Sequence, residues 1–333
     1  MAVPMTRVLT FLPYTRQLAS MGAPVERLLM RAGIPSELLS HPAAAMPLAN
    51  AFRFGELACR TQGTEHLGLR VGLATSLDDC GPYGRMLQNA LTVQDYLRKG
   101  IALYSMLATG QRFWLSVHGQ ELRLNLATVA ESDIGKYQAH TESLAIIIAK
   151  FREAAGSDWS PREISLAYRS REPLPSIDLF AGSRVLRGTG ETYFTIPRAM
   201  MGLRFPDRSG VGSDMEPESP ARRPLPEDLV GLVELQIGSL LTDRALQIDT
   251  VAETLAMSRR TMQRALAKEG LTYSQLLAET RIGQAARWLE RSDKAVAEIA
   301  FDLGYTDASN FTRAFRSHTG VPPQTFRDNA RRR

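Results

Sequence analysis

The sequence predicts an α+β N-terminal domain followed by an all-α C-terminal domain with two helix-turn-helix units joined by a linker helix. Three observations carry this. Residues up to 205 mix the period of a helix with the period of a strand. The stretch FPDRSGVGSDMEPESPARRPLP, at 205–226, offers almost nothing to bury and reads as a flexible linker over 206–226. Beyond it every segment is helical, and the chain nearly repeats itself.

In the first domain, 1–205, helical spacing of apolar residues marks 24–32 and 48–61. Apolar and polar residues then alternate over 112–117 and 121–127 around His118-Gly119, the pattern of a hairpin. A helix is expected over 134–155 and a strand over 163–168. A second hairpin-like stretch is expected over 184–196, turning at Gly188 and Gly190. Trp114 and Trp159 are read as core residues.

In the second domain, 227–333, helix starts are marked by Asp249, Ser258, Thr272 and Asp307, and stops by Gly270, Gly304 and Gly320. Ile248, Val251, Ala252, Leu255 and Met257 recur 48 residues later as Val296, Ile299, Ala300, Leu303 and Tyr305. One supersecondary unit occurs twice. Past the turn the offset is 49, pairing Met262, Arg264 and Leu266 with Phe311, Arg313 and Phe315, so the second turn holds one extra residue. Between the units, 273–291 reads as one continuous helix about 28 Å long at 1.5 Å per residue. That length would let the units reach major grooves about 34 Å apart on one side of a duplex. Pro322 and Pro323 start a last short helix, and the arginines at 331–333 read as a solvated tail.

On the second helix of unit one, Met262, Ala265 and Leu266 share one face, and Arg260, Gln263, Arg264 and Ala267 the other. Arg can bond two acceptors on guanine and Gln can pair with adenine, so this face suits base edges in a major groove. The matching face of unit two, Ala308, Ser309, Thr312, Arg313 and Arg316, is smaller and suits fewer base contacts and more phosphate anchoring. Such faces can equally be the solvated side of an amphipathic helix; their repetition favours DNA. Net charge does not decide, for although the chain carries +5, residues 224–333 hold 15 Lys/Arg against 14 Asp/Glu.

No run approaches the ~20 apolar residues that span a bilayer, so a soluble cytoplasmic protein without membrane association is expected. Two Cys, 59 and 80, and five scattered His offer no disulfide framework and no metal site. No nucleophile elbow, zinc-protease motif or phosphate loop is present, so no catalytic residue and no cofactor are expected. His140 and Glu142, near Lys136 and Tyr137, either face a pocket or cover a helix surface. Cys80 is a redox-sensing thiol or a small buried filler.

The C-terminal residues resemble the DNA-binding domain of the AraC/XylS transcription regulators. Ile299-Ala300, Leu303-Gly304-Tyr305, Ser309-Asn310-Phe311, Arg313-Ala314-Phe315-Arg316, Gly320, Pro323 and Phe326-Arg327 stand at that family's signature spacing, and 257–264 is similar to its first unit. The resemblance implies base contacts from Arg260, Gln263 and Arg264 and from Ala308, Ser309, Thr312 and Arg313, with Arg259, Lys268 and Arg316 completing the DNA-binding set. Ala308 is smaller than the polar residue common at its position. Residues 21–205 resemble the arabinose-type ligand-binding domain of one branch of the family, through 28–39, Leu67-Gly68-Leu69-Arg70, 81–84 and 192–197. This implies binding of a small-molecule effector, dimerisation, or both, and says nothing of arabinose itself. Implied partners are double-stranded promoter DNA, RNA polymerase and a second copy of the chain. Two further readings stand beside it: a regulator whose first domain only dimerises, and a DNA-repair alkyl acceptor, which needs an activated Cys.

Overall fold

In the computed structural model, which describes residues 3–129, 132–170, 172–206, 220–241 and 246–332, the chain divides into two units, Val3–Leu225 and Pro226–Arg333. The first contains β1 (Met5–Arg7), α1 (Leu12–Ser20), α2 (Val25–Ala32), β2 (Ala45–Pro47), α3 (Leu48–Gln62), α4 (Leu67–Ala74), α5 (Gly81–Gln88) and α6 (Val93–Leu103). It continues with β3 (Gln111–His118), β4 (Glu121–Thr128), α7 (Asp133–Ala155), β5 (Glu163–Leu166), β6 (Arg184–Arg187) and β7 (Thr192–Pro197). β1 and β2 pair as a small antiparallel ribbon, and the remaining strands form one sheet in the order β3-β4-β7-β5-β6.

The alternation at 111–128 produces the hairpin expected, with Leu115 opposite Leu124 and Phe113 opposite Leu126. β3 is the sheet's outer strand, and there Trp114 is 38% exposed. It is therefore not a core residue; the Arg112 guanidinium lies 5.0 Å from its ring centre. Trp159 packs against the core, as its composition led one to expect. The second hairpin is not one. β5 inserts between the two strands, pairing parallel with β6 and antiparallel with β7. Gly188 and Gly190, both at positive φ, carry the chain across its end, where their N–H groups donate to Leu166 and Ala167 carbonyls.

α7 is the spine of this unit. Ser132 caps it by accepting from the Gly135 N–H at 3.1 Å, and Leu144, Ala145, Ile148 and Phe151 are buried against the sheet and neighbouring helices. α4 lies so close to it that a Cβ on Gly68 would stand 2.1 Å from the Gln138 carbonyl oxygen and one on Gly72 2.5 Å from that of Glu142. Only glycine allows two backbones to approach in this way.

The linker read over 206–226 is shorter at its far end. Ala221 and Leu225 are buried in the first unit, the Leu225 N–H donates to the Ser105 carbonyl at 2.8 Å, and the buried Arg7 donates to the Arg223 carbonyl at 2.7 Å. Apolar burial pulls 221–225 into the first unit, and 207–219 lie outside the described residues.

The second unit is all-α: α8 (Leu229–Leu240), α9 (Ile248–Thr254), α10 (Arg259–Lys268), α11 (Tyr273–Arg291), α12 (Val296–Asp302), α13 (Ala308–Thr319) and α14 (Pro323–Arg331). Ser258, Thr272 and Asp307 are N-caps as read, each accepting a backbone N–H three residues on. Asp249 is not a cap but lies inside the first turn of α9, where its negative charge suits the helix dipole. Arg331 belongs to α14 and pairs with Asp293, so the basic tail begins later than read.

Candidate nucleic-acid interface

The two repeats fold alike. In the first, α9 ends at a left-handed Ala256, and Met257 N–H reaches back to the Ala252 carbonyl at 2.8 Å. In the second, α12 ends at a left-handed Gly304, and Tyr305 N–H reaches the Ala300 carbonyl at 3.0 Å. The extra residue of the second turn is Thr306, between Tyr305 and the cap Asp307. Both turns thus launch a second helix, α10 or α13, against the first.

What fixes the rotation of those helices is a pair of residues four apart. Met262 and Leu266 on α10, and Phe311 and Phe315 on α13, are all at 0% exposure. Phe311 meets Tyr305 and Phe315 meets Phe326 edge-on, with ring centres 5.4 Å apart in each case. Truncating one such side chain removes about 2–5 kcal/mol. α11 runs between the repeats with Leu276, Ile282, Ala285 and Leu289 buried, and a fully buried Gln236 on α8 donates to Thr254 Oγ1 at 2.6 Å to hold α9. Arg327, part of the sequence signature, is buried and donates to the Lys294 carbonyl. Its role is to hold α14 against the start of α12.

With those faces turned inward, the opposite faces must turn out. Arg259, Arg260, Gln263, Arg264 and Lys268 on α10 are exposed, as are Ser309, Arg313 and Arg316 on α13. Ala308 and Thr312 are half-buried, and the Thr312 hydroxyl donates back to the Ala308 carbonyl at 2.7 Å. Arg259 makes an exposed ion pair with Asp249 at 3.3 Å, and Arg313 donates to Asn310. Among the described residues, Arg260, Gln263, Arg264, Lys268 and Arg316 engage no protein partner. Their donors face solvent, where groups that bind phosphates and base edges belong.

The first unit holds a second feature, only half anticipated. A cavity of about 130 Å³ is walled by α1, α3, α5, α6, α7 and β3, and Glu142 stands on its surface. Burial pushes this carboxyl up to about 8, although Tyr14 Oη donates to its Oε2 at 3.0 Å. Of the two polar residues singled out on α7, Glu142 therefore faces a pocket. His140 is buried elsewhere, held by Thr128 at 3.0 Å and Thr192 at 2.9 Å, and burial lowers it to about 4. Cys80 lies on the cavity wall with its thiol pushed up to about 12, the opposite of activation. The aromatic residues around Glu142 escaped the sequence reading because they come from separate elements. Among the described residues no cluster could hold a metal ion, and no helix is long and apolar enough to cross a membrane.

A tandem pair of helix-turn-helix units with outward basic faces, following an α+β domain, defines a transcription regulator with a DNA-binding C-terminal domain. Residues 251–329 match the family model described as a helix-turn-helix domain, and residues 22–205 match the arabinose-binding N-terminal domain of the AraC transcription regulator. The chain belongs to the AraC family of transcription regulators. It is 26% identical to the HTH-type transcriptional regulator VirS of Mycobacterium tuberculosis, over 94% of each chain. Among solved structures it is similar to the regulator CdpR of Pseudomonas aeruginosa, at 19% identity and TM-score 0.44 over 96% of this chain and 98% of that one. It is also similar to the DNA-binding domain of AdpA in complex with a target DNA, at 30% identity and TM-score 0.28 over 32% of this chain and 95% of that one.

Proposed function

We propose that the protein is a sequence-specific transcription activator that acts as a homodimer in the cytoplasm, reads two successive major grooves with α10 and α13, engages RNA polymerase, and answers to a small-molecule effector bound in its first unit. The observation that carries this is the outward array of Arg260, Gln263 and Arg264 on α10 and Arg316 on α13, without protein partners among the described residues and opposite the fully buried pairs of the two repeats. Base contacts are assigned to Arg260, Gln263, Arg264, Ala308, Ser309, Thr312 and Arg313, and backbone contacts to Arg259, Lys268 and Arg316. The 19 residues of α11 set the separation of the two reading helices. The cavity beside Glu142 favours an effector domain over one that only dimerises. An alkyl-acceptor reading loses support from Cys59 and Cys80, both raised to about 12 by burial.

The test is a titration on the DNA upstream of the regulated gene against scrambled DNA, at fixed salt, with and without a metabolite pool. Specific binding shifted by the pool supports the reading; equal binding to both DNAs refutes it.

A further inference from the structure

The cavity in the first unit has a chemical bias. Tyr14, Phe52, Tyr83, Tyr96, Phe113 and Glu142 line it from six different elements. Tyr83 and Tyr104 commit their hydroxyls to the Gly100 carbonyl at 3.1 Å and the Gln111 amide oxygen at 2.8 Å, so they offer rings rather than free donors. The rings of Tyr104 and Phe113 meet edge-on at 4.7 Å. Among the described residues no Lys, Arg or His lines the space, and the charge-bearing ones that do are Glu142 and Asp79. Asp79 is already occupied, pairing with Arg16 and accepting the Ser76 N–H at 2.8 Å. Glu142 has one hydrogen-bond partner among the described residues, Tyr14, and Tyr14 donates. Oε2 is thereby engaged, and Oε1 is left for a ligand.

A carboxylate inside an aromatic chamber is a recognition set for a cation: the ion pair supplies charge, and the ring faces supply quadrupole attraction. A carboxylate on the ligand would enter a space lined, among the described residues, by no basic side chain, so nothing there would offset its desolvation or, beside an ionised Glu142, its repulsion. A cavity of this size holds a molecule about as large as benzene.

We propose that this chamber is the effector site and that its ligand is a small organic monoamine without an acid group, whose ammonium pairs with Glu142 while its apolar body lies among the tyrosine and phenylalanine rings. The proposal rests on the reading of the first unit as an effector domain. Amines reach the site as ammonium ions, and the empty site holds Glu142 largely protonated at neutral pH, so binding sends the Glu142 proton to solvent. The other titratable groups facing the chamber do not compete: Tyr14 on α1, Tyr83 on α5, Tyr96 on α6, Tyr104 after α6 and Cys80 before α5 are all pushed upward by burial and stay neutral, and Asp79 is lowered beside Arg16.

The experiment uses the full chain without DNA and four probes of similar shape: benzylamine, benzyl alcohol, benzoate and phenylglycine. Melting curves and calorimetry in two buffers of different ionisation enthalpy are read at pH 7. The expected result is a rise in melting temperature with benzylamine only, and release of about one proton per amine bound. Glu142→Gln should weaken benzylamine binding ~10–100-fold. Tyr14→Phe keeps the carboxyl and should weaken it less, which covers a misfolded Glu142→Gln. Equal binding of the alcohol, binding of benzoate, or an amine affinity indifferent to Glu142→Gln would overturn the proposal. The DNA titration is then repeated with benzylamine. Amine bound with DNA occupancy unchanged overturns its role as effector, whereas a metabolite pool that shifts occupancy while no amine binds overturns the amine proposal and leaves the regulator intact.

Discussion

Ala256 and Gly304 occupy the same place in two turns 48 residues apart, and both are left-handed, with φ of 53° and 77°. Gly304 suits that conformation, whereas Ala256 brings a Cβ that crowds the following carbonyl at a cost of about 1–2 kcal/mol. The exchange Ala256→Gly should therefore stabilise the second unit, by about 0.5–1 kcal/mol once the greater freedom of glycine in the unfolded chain is subtracted. Gly304→Ala should destabilise it by at least as much. Denaturant titrations of the full chain followed at Trp288 check both signs.

The DNA face gives a graded expectation. Gln263→Ala and Arg264→Ala should each cost about 1–3 kcal/mol on the cognate site and relax specificity at one position, whereas Arg316→Ala should weaken all sequences alike and lower the salt dependence. Equal losses on cognate and random DNA for Gln263→Ala would remove its base contact.

Gly72→Ala should strain the contact of α4 with α7, because its Cβ has no room beside the Glu142 backbone carbonyl. Overpacking of this kind costs about 1–3 kcal/mol or more. Since the displaced backbone carries Glu142, benzylamine binding should fall together with the melting temperature, while Ala256→Gly, in the other unit, leaves it unchanged.

Glu142 also sets a pH dependence. Its ordinary value is 4.5 and its folded value about 8. Below 4.5 both states hold the proton and the group costs nothing. Between there and about 8 only the unfolded chain releases it, so stability falls as pH rises, and above about 8 the loss is complete. Glu142→Gln carries no proton to lose. Its unfolding free energy should match that of the parent near pH 4.5, draw ahead as pH rises, and lead by a constant margin above pH 8, on the order of 1–4 kcal/mol. A margin independent of pH would contradict the burial of this carboxyl.

Much of this was legible because it is local. The β3-β4 hairpin announces itself by alternation around Gly119, α11 by its Thr272 cap and unbroken spacing, and the reading helices by the buried pairs Met262/Leu266 and Phe311/Phe315. Pairing of β6 with β7 was misread because proximity in sequence favours a hairpin, and nothing within 184–196 reports that β5 takes the place between them. Trp114 was misassigned for a related reason, since alternation shows that a strand has two faces but not that it ends up at an edge. The chamber around Glu142 was hidden further still. Its wall draws on residues from Thr6 to Ile147, and only the packing of α7 against its neighbours brings them together.

Phe205 and Ala221 belong to one and the same core. The first unit therefore draws on chain from both sides of 207–219, and the stretch that looks by composition like a bridge between two domains begins and ends within one unit. A protease site engineered into 207–219 would nick that domain rather than sever the DNA reader from it, and the fragments should travel together until denatured. The boundary between the two units falls at Leu225–Pro226, next to the residues that Arg7 and Ser105 hold down.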